Sequence, residues 1–287
     1  MRDWSVVALA ALLAACAKPA PEKVTPALWQ VDGPHGERGY LFGTIHALPK
    51  EVDWRSAKLD AALAGSDSLV LEIARLDDEA ATAATFAKLS RTPGQPLLSE
   101  RIAPALRPAL AAVLRRTHLF ETEFAATETW AAALTLAQKL QGANNSGYGI
   151  DRALLNAAPG KALGELEGAE TQLGVFDALP EDEQRDLLGA VISGADDDPV
   201  AAGQLASAWG RGDVAMIERE TQRGMLADPE LRQALLVNRN KAWTGRIVAL
   251  LAQGERPFVA AGAAHMAGPD GVPALLAAQG YKVTRVQ

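Results

Sequence analysis

The sequence predicts an α/β fold in which a mixed sheet is built from both ends of the chain around a large helical middle section. Three observations carry this. Strand-like apolar stretches cluster within residues 27–73 and 257–286. Between them Leu, Ala and Phe recur at three- and four-residue spacing, the period of helices that bury one face. Two segments at opposite ends also share one plan. YLFGTIHALP and FVAAGAAHMAGP each read as a strand, Gly-x-x-His and a Pro-containing loop, followed by a helix and a second strand. Strands from both ends covered by intervening helices make one layered α/β unit.

Each element has its own warrant. Residues 27–31 and 39–44 flank the turn-forming Asp32-Gly33-Pro34 and read as a hairpin. Ser56 has the hydroxyl that caps a helix over 57–64, and Gly65 ends it. Residues 68–73 (SLVLEI) have the continuous aliphatic character of a buried strand. From 77 to about 145 the spacing is helical, with breaks at Pro93-Gly94 and Pro104. Residues 161–166 form a short strand. Helices return from about 180 to 253, punctuated by Asp196-Asp197-Asp198-Pro199 and by 210–213. Residues 257–261, 271–279 and 281–286 close the chain as strand, helix and strand. No stretch inside 27–287 has the composition of a linker.

Composition excludes several function classes. The chain has 287 residues, 48% hydrophobic and 22% charged, which is globular rather than disordered. Its 28 Lys+Arg against 35 Asp+Glu give a formal net charge of -7, with no basic block, so nucleic acid is not an expected partner. One cysteine, Cys16, allows neither an internal disulfide nor a cysteine-rich metal cluster. No Gly-x-Ser-x-Gly elbow, P-loop or strand-linked Gly-x-Gly-x-x-Gly is present, which disfavours Ser-triad and nucleotide enzymes.

The chain starts MRDWSVVALAALLAAC. An apolar run of this length is too short to span a bilayer, which takes ~20 residues. It fits an export signal with small residues at its cleavage site. Leu13-Ala14-Ala15-Cys16 resembles the lipobox of bacterial lipoproteins, in which the cysteine is acylated and becomes the mature N-terminus. Residues 1–15 are therefore expected to be a lipoprotein signal peptide. Residues 16–27, rich in Pro, Lys and Glu, read as an extended tether, and 28–287 as a single domain. Ala17 rather than Asp after the cysteine suggests, by the same resemblance, a lipid anchor in the outer membrane facing the periplasm.

Candidate chemistry gathers at strand ends. His46 and His265 both follow an apolar strand by a Gly-x-x-His turn, and the carboxyl ends of strands are where α/β sheets place ligands. If those strands are neighbours, the two imidazoles face one crevice and can share a metal ion. Glu72, in VLEI, is flanked by apolar residues, so a buried carboxylate there needs a metal, a cation or donors. Asp151 is either a helix N-cap or a site acid. Glu165 and Glu167 in GELEGAETQ share one face if they lie on a strand, and Glu170 and Gln172 follow. Arg239, in LVNRNKAW, can pair with buried acids or hold a carboxylate or oxyanion. Trp130, Trp209 and Trp243 fit core positions or the wall of a cleft.

These motifs, in order, resemble the TraB/GumN family: GTIH with Leu-Pro, LVLE, GID, LEGAETQ, RN with a Trp, and GAAHMAGPDGVPALLAAQGYKV. That family includes the Tiki-type metalloproteases and is more distantly similar to erythromycin-esterase-like and haem-binding ChaN-like proteins. The resemblance spans roughly residues 28–286. It implies an α/β core with the site at one end of the sheet and a divalent metal, Mn²⁺, Co²⁺ or Zn²⁺. By position, His46 and His265 match the two motif histidines and Glu72 the strand-end acid. Asp151, Glu167 and Arg239 match polar positions, with Glu165 or Glu167 in the acidic one. The expectation is an envelope-anchored, metal-dependent hydrolase, most simply a peptidase. His46, His265, Glu72 and Asp151 would serve the metal, Glu72 or Glu167 the proton transfer, and Arg239 the oxyanion. A non-catalytic protein holding a metal, haem or small ligand in the same crevice is the alternative.

Overall fold

The computed structural model describes residues 20–75, 78–141, 144–196 and 199–287. The export-type segment 1–15 and the lipidation candidate Cys16 lie outside the described residues.

Among the described residues eight strands form in chain order: β1 (Glu22–Lys23), β2 (Leu28–Asp32), β3 (Arg38–Thr44), β4 (Val52–Asp53), β5 (Ser68–Leu71), β6 (Ala162–Glu165), β7 (Pro257–Gly262) and β8 (Lys282–Arg285). Six of them make one mixed sheet in the order β6-β5-β7-β3-β2-β8. Only β2 runs against its neighbours; β6, β5, β7, β3 and β8 point the same way. The sheet is thus built from both chain ends, and the two strands that carry Gly-x-x-His, β3 and β7, pair directly, with Thr44 opposite Gly262.

The helices are α1 (Ala57–Gly65), α2 (Glu79–Leu89), α3 (Arg107–Thr117), α4 (Thr129–Leu140), α5 (Ile150–Ala157), α6 (Ala169–Asp177), α7 (Glu181–Ser193), α8 (Pro199–Gly210), α9 (Val214–Glu220), α10 (Pro229–Arg232), α11 (Asn238–Ala252) and α12 (Val272–Ala278). Ser56 caps α1 as expected, accepting from the Leu59 N–H. A π-helical turn, Gln233–Val237, joins α10 to α11. Such turns recur near functional sites because one extra residue re-aims the helix face that follows.

Alternate residues of the central strands point to opposite faces of the sheet. On one side Phe42, Leu69, Leu71, Phe258 and Ala260 pack with Leu59 and Leu63 of α1, Ile150 and Leu154 of α5, and Trp209. On the other, Leu41, Val70, Val259 and Ala261 pack with Trp243, Ile247 and Leu251 of α11 and Leu276 of α12. A third apolar cluster, around Trp130, Leu136, Leu187 and Leu188, belongs to the helical middle. Phe42 and Phe258 meet with ring centroids 6.0 Å apart across adjacent strands; truncating either buried ring to Ala costs about 3–5 kcal/mol.

Three local expectations need correction. The tether is not wholly free, because β1 pairs with β4, the Val24 N–H donates to Asp53 O at 2.9 Å, and Ala27 is buried. Asp151 is not the N-cap of α5; Gly149 is, and Asp151 lies inside the first turn. The strand around GELE ends at Glu165, so Glu165 and Glu167 do not share a face. Gly168, at φ +80°, turns the chain after Glu167 and opens α6. Both α5 and α6 are too short for hydrophobic periodicity to announce them. Docking specifies α5 instead: the Ile150 N–H donates to Ile45 O, and a Cβ on Gly149 would lie 2.2 Å from the His46 carbonyl oxygen.

Candidate active site

The parallel strands β3, β5, β6 and β7 all deliver a site residue just past their carboxyl ends: His46, Glu72, Glu167 and His265 respectively. Helices α5 and α11 complete the set with Asp151 and with Arg239, Asn240 and Trp243. Gly262 marks the centre. A Cβ placed on it would lie 3.3 Å from Glu72 Oε1, 3.3 Å from His46 Nε2 and 3.7 Å from His265 Cδ2. The paired Gly-x-x-His motifs therefore do converge, and a side chain at Gly262 would stand in the space they share.

His46 is the open member, with its side chain 64% exposed. Its Nδ1–H donates to Asp151 Oδ2 at 2.8 Å, and Thr44 Oγ1 donates to the other oxygen, Oδ1, at 2.7 Å. This fixes the ring and turns Nε2 toward the open side, 3.9 Å from Glu72 Oε1. Crowding around the ring opposes its charged form, and Arg239 does too. The hydrogen bond to Asp151 and the charges of Asp151 and Glu72 outweigh both and lift the His46 pKa to about 9. Burial of Asp151 works against its ionised form, but the His46 contact and the Thr44 hydrogen bond hold its carboxyl below the usual value. The imidazole is thus an imidazolium at neutral pH, in a field that favours positive charge at Nε2.

Behind this open pair lies a buried ionic layer. Arg239, 11% exposed, donates from Nη2 to Glu72 Oε2 at 3.1 Å and to Glu167 Oε1 at 2.5 Å, and from Nε to both Glu167 oxygens at 3.1 Å. Its Nη1 reaches Leu235 O at 3.1 Å, and its guanidinium carbon lies 4.7 Å from the centroid of the Trp243 ring. Trp243 Nε1 donates to Glu167 Oε2 at 3.1 Å. Glu72 is further held by the Gly262 N–H on Oε1 at 2.6 Å and by Gln172 Nε2 on Oε2 at 3.1 Å. The demand that VLEI raised, a partner for a buried carboxylate, is met by a cation and two neutral donors.

His265 differs from His46 in environment and charge. It is buried, and burial, followed by the charges of Arg239 and His46, pushes its pKa well below the usual value. A neutral ring matches its partners: Nδ1–H donates to Asn240 Oδ1 at 2.6 Å, and Nε2 accepts from Arg239 Nη1 at 3.3 Å. The ring also packs on Trp243, centroids 4.4 Å apart. Both nitrogens are thus occupied.

The candidate residues fall into distinct positions. His46 and Glu72 present neighbouring atoms on the open side. Asp151 acts on His46 from behind; Glu167 and Arg239 face one another in the ionic layer; Glu165, with Oε2 accepting from the Ala74 N–H at 3.2 Å, stands apart from it. Two partners went unremarked in the sequence. Thr44 precedes His46 by two residues in GTIH, and Asn240 follows Arg239 in the Arg-Asn pair that marked the motif. Trp130 and Trp209 are core residues, whereas Trp243 is buried between the ionic layer and a cleft.

A divalent ion fits this donor set only at one edge. His46 Nε2 and Glu72 Oε1 are within the reach of one cation, and the carboxylate on Nδ1 is the arrangement that orients metal-bound histidines. His265 offers no free nitrogen as it stands, and these residues do not form a three-donor cluster.

The fold and site together define an α/β protein with a His–carboxylate centre at the carboxyl edge of its parallel strands. The sequence model of the TraB/PrgY/gumN family matches residues 27–285, nearly the whole chain. The chain belongs to the TraB/PrgY/gumN family. No curated protein and no solved structure matches it.

Proposed function

We propose that this protein is a divalent-metal-dependent hydrolase, a peptidase, working at the open edge between His46 and Glu72. The observation that carries the reading is the 3.9 Å separation of His46 Nε2 and Glu72 Oε1 on a ring whose other nitrogen Asp151 holds. The field that keeps a proton on Nε2 favours any cation at that point. Two protein donors suit Mn²⁺, which accepts carboxylate and water, better than Zn²⁺, whose catalytic sites use three protein ligands. Such an ion, when bound, supplies Lewis acidity toward a scissile carbonyl and acidifies a water.

The chain's own residues have separate tasks. Asp151 and Thr44 fix the His46 tautomer. Among the described residues Glu72 Oε1 accepts from Gly262 alone, and it keeps a lone pair for the ion or for a water proton. Glu167 is enclosed by Arg239 and Trp243, so it positions Arg239 rather than receiving a proton from water. Arg239 in turn holds Glu72 and His265 in place, and its N–H groups are engaged, which argues against the oxyanion role expected from sequence.

The reading also places the protein in the cell envelope through lipid on Cys16, which rests on the Leu-Ala-Ala-Cys segment alone. Cys16→Ser should release the protein from membranes; unchanged membrane retention would remove the anchor. For the activity, the test is cleavage of a peptide library after chelation and re-addition of Mn²⁺, Co²⁺ or Zn²⁺. Metal-dependent cleavage that His46→Ala abolishes supports the reading. A library left intact with all three ions would remove it.

A further inference from the structure

A cleft of about 860 Å³ runs from the ionic layer into the helical middle, between α6, α7 and the α10–α11 segment. Its walls are apolar: Leu166, Val175, Leu179, Ala234, Ala242 and Trp243 line it. Glu167, Arg239 and Trp243 also line it; Arg239 contacts Glu72 and Trp243 contacts His265. Glu183 and Glu230 also line the cleft, and single oxygens of Glu183, Asp228 and Glu230 lie within 4.8 Å of one another.

That acidic group lacks an answering charge. Among the described residues no ion pair involves Glu183, Asp228 or Glu230, and Glu183 Oε2 is buried with no hydrogen-bond partner. Arg232 and Arg185, each two residues along the chain from Glu230 and Glu183, pair with Asp270 and Glu181, both at 2.9 Å. Asp228 Oδ1 already accepts the Glu230 and Leu231 N–H groups as the cap of α10. Partial burial and then the charges of Asp228, Glu230, Asp186 and Asp182 hold the Glu183 carboxyl above its usual range. An unsatisfied buried acceptor among like charges is costly unless something cationic completes it.

We propose that this cleft receives a peptide segment whose apolar side chains lie along its walls and whose Lys or Arg side chain is bound by Glu183 and Glu230. Volume, apolar lining and a few convergent polar groups are the marks of a ligand site, and the charge pattern selects a basic residue. The proposal deepens the hydrolase reading and rests on it: it names the substrate class, apolar peptides bearing a basic residue, and assigns Glu183 and Glu230 to specificity. Arg239 and Trp243, common to the cleft and the ionic layer, are the link between peptide binding and the His46–Glu72 edge.

The test uses the full chain and calorimetric titration with acetyl-Leu-Val-Leu-Lys-amide and its counterpart with Gln in place of Lys, in the presence of chelator. The Lys peptide should bind about tenfold more tightly, a difference of about 1.4 kcal/mol, and Glu183→Gln with Glu230→Gln should erase the preference. Ala234→Arg should block both peptides. Where cleavage is measurable, the double variant should raise KM for the Lys peptide with kcat unchanged. Equal binding of the two peptides, or a preference that survives the double variant, overturns the proposal. So does a divalent ion occupying the three carboxylates with the peptide excluded, or a second copy of the chain covering the cleft in solution. Because titration needs no turnover, selective binding with no cleavage of either peptide after re-addition of Mn²⁺, Co²⁺ or Zn²⁺ would sink the hydrolase reading and leave the cleft assignment standing.

Discussion

Asp151 holds His46 by its inner nitrogen at 2.8 Å, so that the outer nitrogen is presented to Glu72 and to solvent. Asp151 comes from the first turn of α5 and His46 from the loop after β3, and Gly149 allows the two backbones to meet. The contact is therefore a product of how α5 docks, and it sets the charge of the ring.

The first prediction concerns that charge. The folded His46 pKa of about 9 stands above the 6.5 of an unperturbed ring. Its contribution to stability is thus fully present below pH 6.5 and is lost as pH rises through 9. Asp151, held below its ordinary value, contributes stability that is lost as pH falls through its depressed pKa. In Asp151→Asn the main raising partner disappears. An NMR titration of the ring should then show the His46 pKa fall by more than one unit, and an unchanged value would refute the dyad.

Gly262→Ala isolates the space between the two open donors. The backbone there, at φ −48° and ψ 135°, accepts alanine, so folding should survive within about 1 kcal/mol. The added methyl would stand 3.3 Å from both His46 Nε2 and Glu72 Oε1. Isothermal titration with Mn²⁺ should show affinity at least about tenfold weaker, since altering the surroundings of metal ligands costs 10–100-fold. Wild-type affinity in this variant would place the ion elsewhere.

Arg239→Met strips the cation from two buried carboxylates. Breaking a buried pair by removing one partner costs about 3–5 kcal/mol, because the remaining charge is left uncompensated. Urea denaturation should record a loss of this size. Arg239→Lys should recover only part of it, as a single ammonium cannot reproduce the fork that reaches Glu167 through both Nε and Nη2.

The two histidines should behave differently when removed. His265→Ala leaves Asn240 Oδ1 and Arg239 Nη1 short of partners in the interior, at about 1–3 kcal/mol for each group. It should destabilise the fold yet retain Mn²⁺ uptake. His46→Ala removes the partner that holds buried Asp151 ionised, so it should also cost stability, and unlike His265→Ala it should lose uptake. Identical behaviour of the two variants in both measurements would restore His265 as an equal metal ligand.

Much of this molecule was legible in one dimension. Alternating and continuous apolar runs located the six strands of the main sheet and the helix capped by Ser56, because burial of one or both strand faces leaves a short-range pattern. The repeated Gly-x-x-His marked His46 and His265, and an acid in VLEI marked Glu72, since buried charges among apolar residues are rare enough to stand out. What the sequence determined by itself was the residue set, with His46, Glu72 and His265 located at strand ends. Tertiary structure alone decided the roles within that set. Whether His46 is charged and His265 neutral depends on which one faces Asp151 and which one faces Arg239. Whether Glu167 or Glu165 enters the ionic layer depends on β6 ending at Glu165 and on Gly168 turning the chain. The charge states arise from contacts between residues 25 to 167 positions apart, whose charges act through space, so spacing along the chain carries no trace of them.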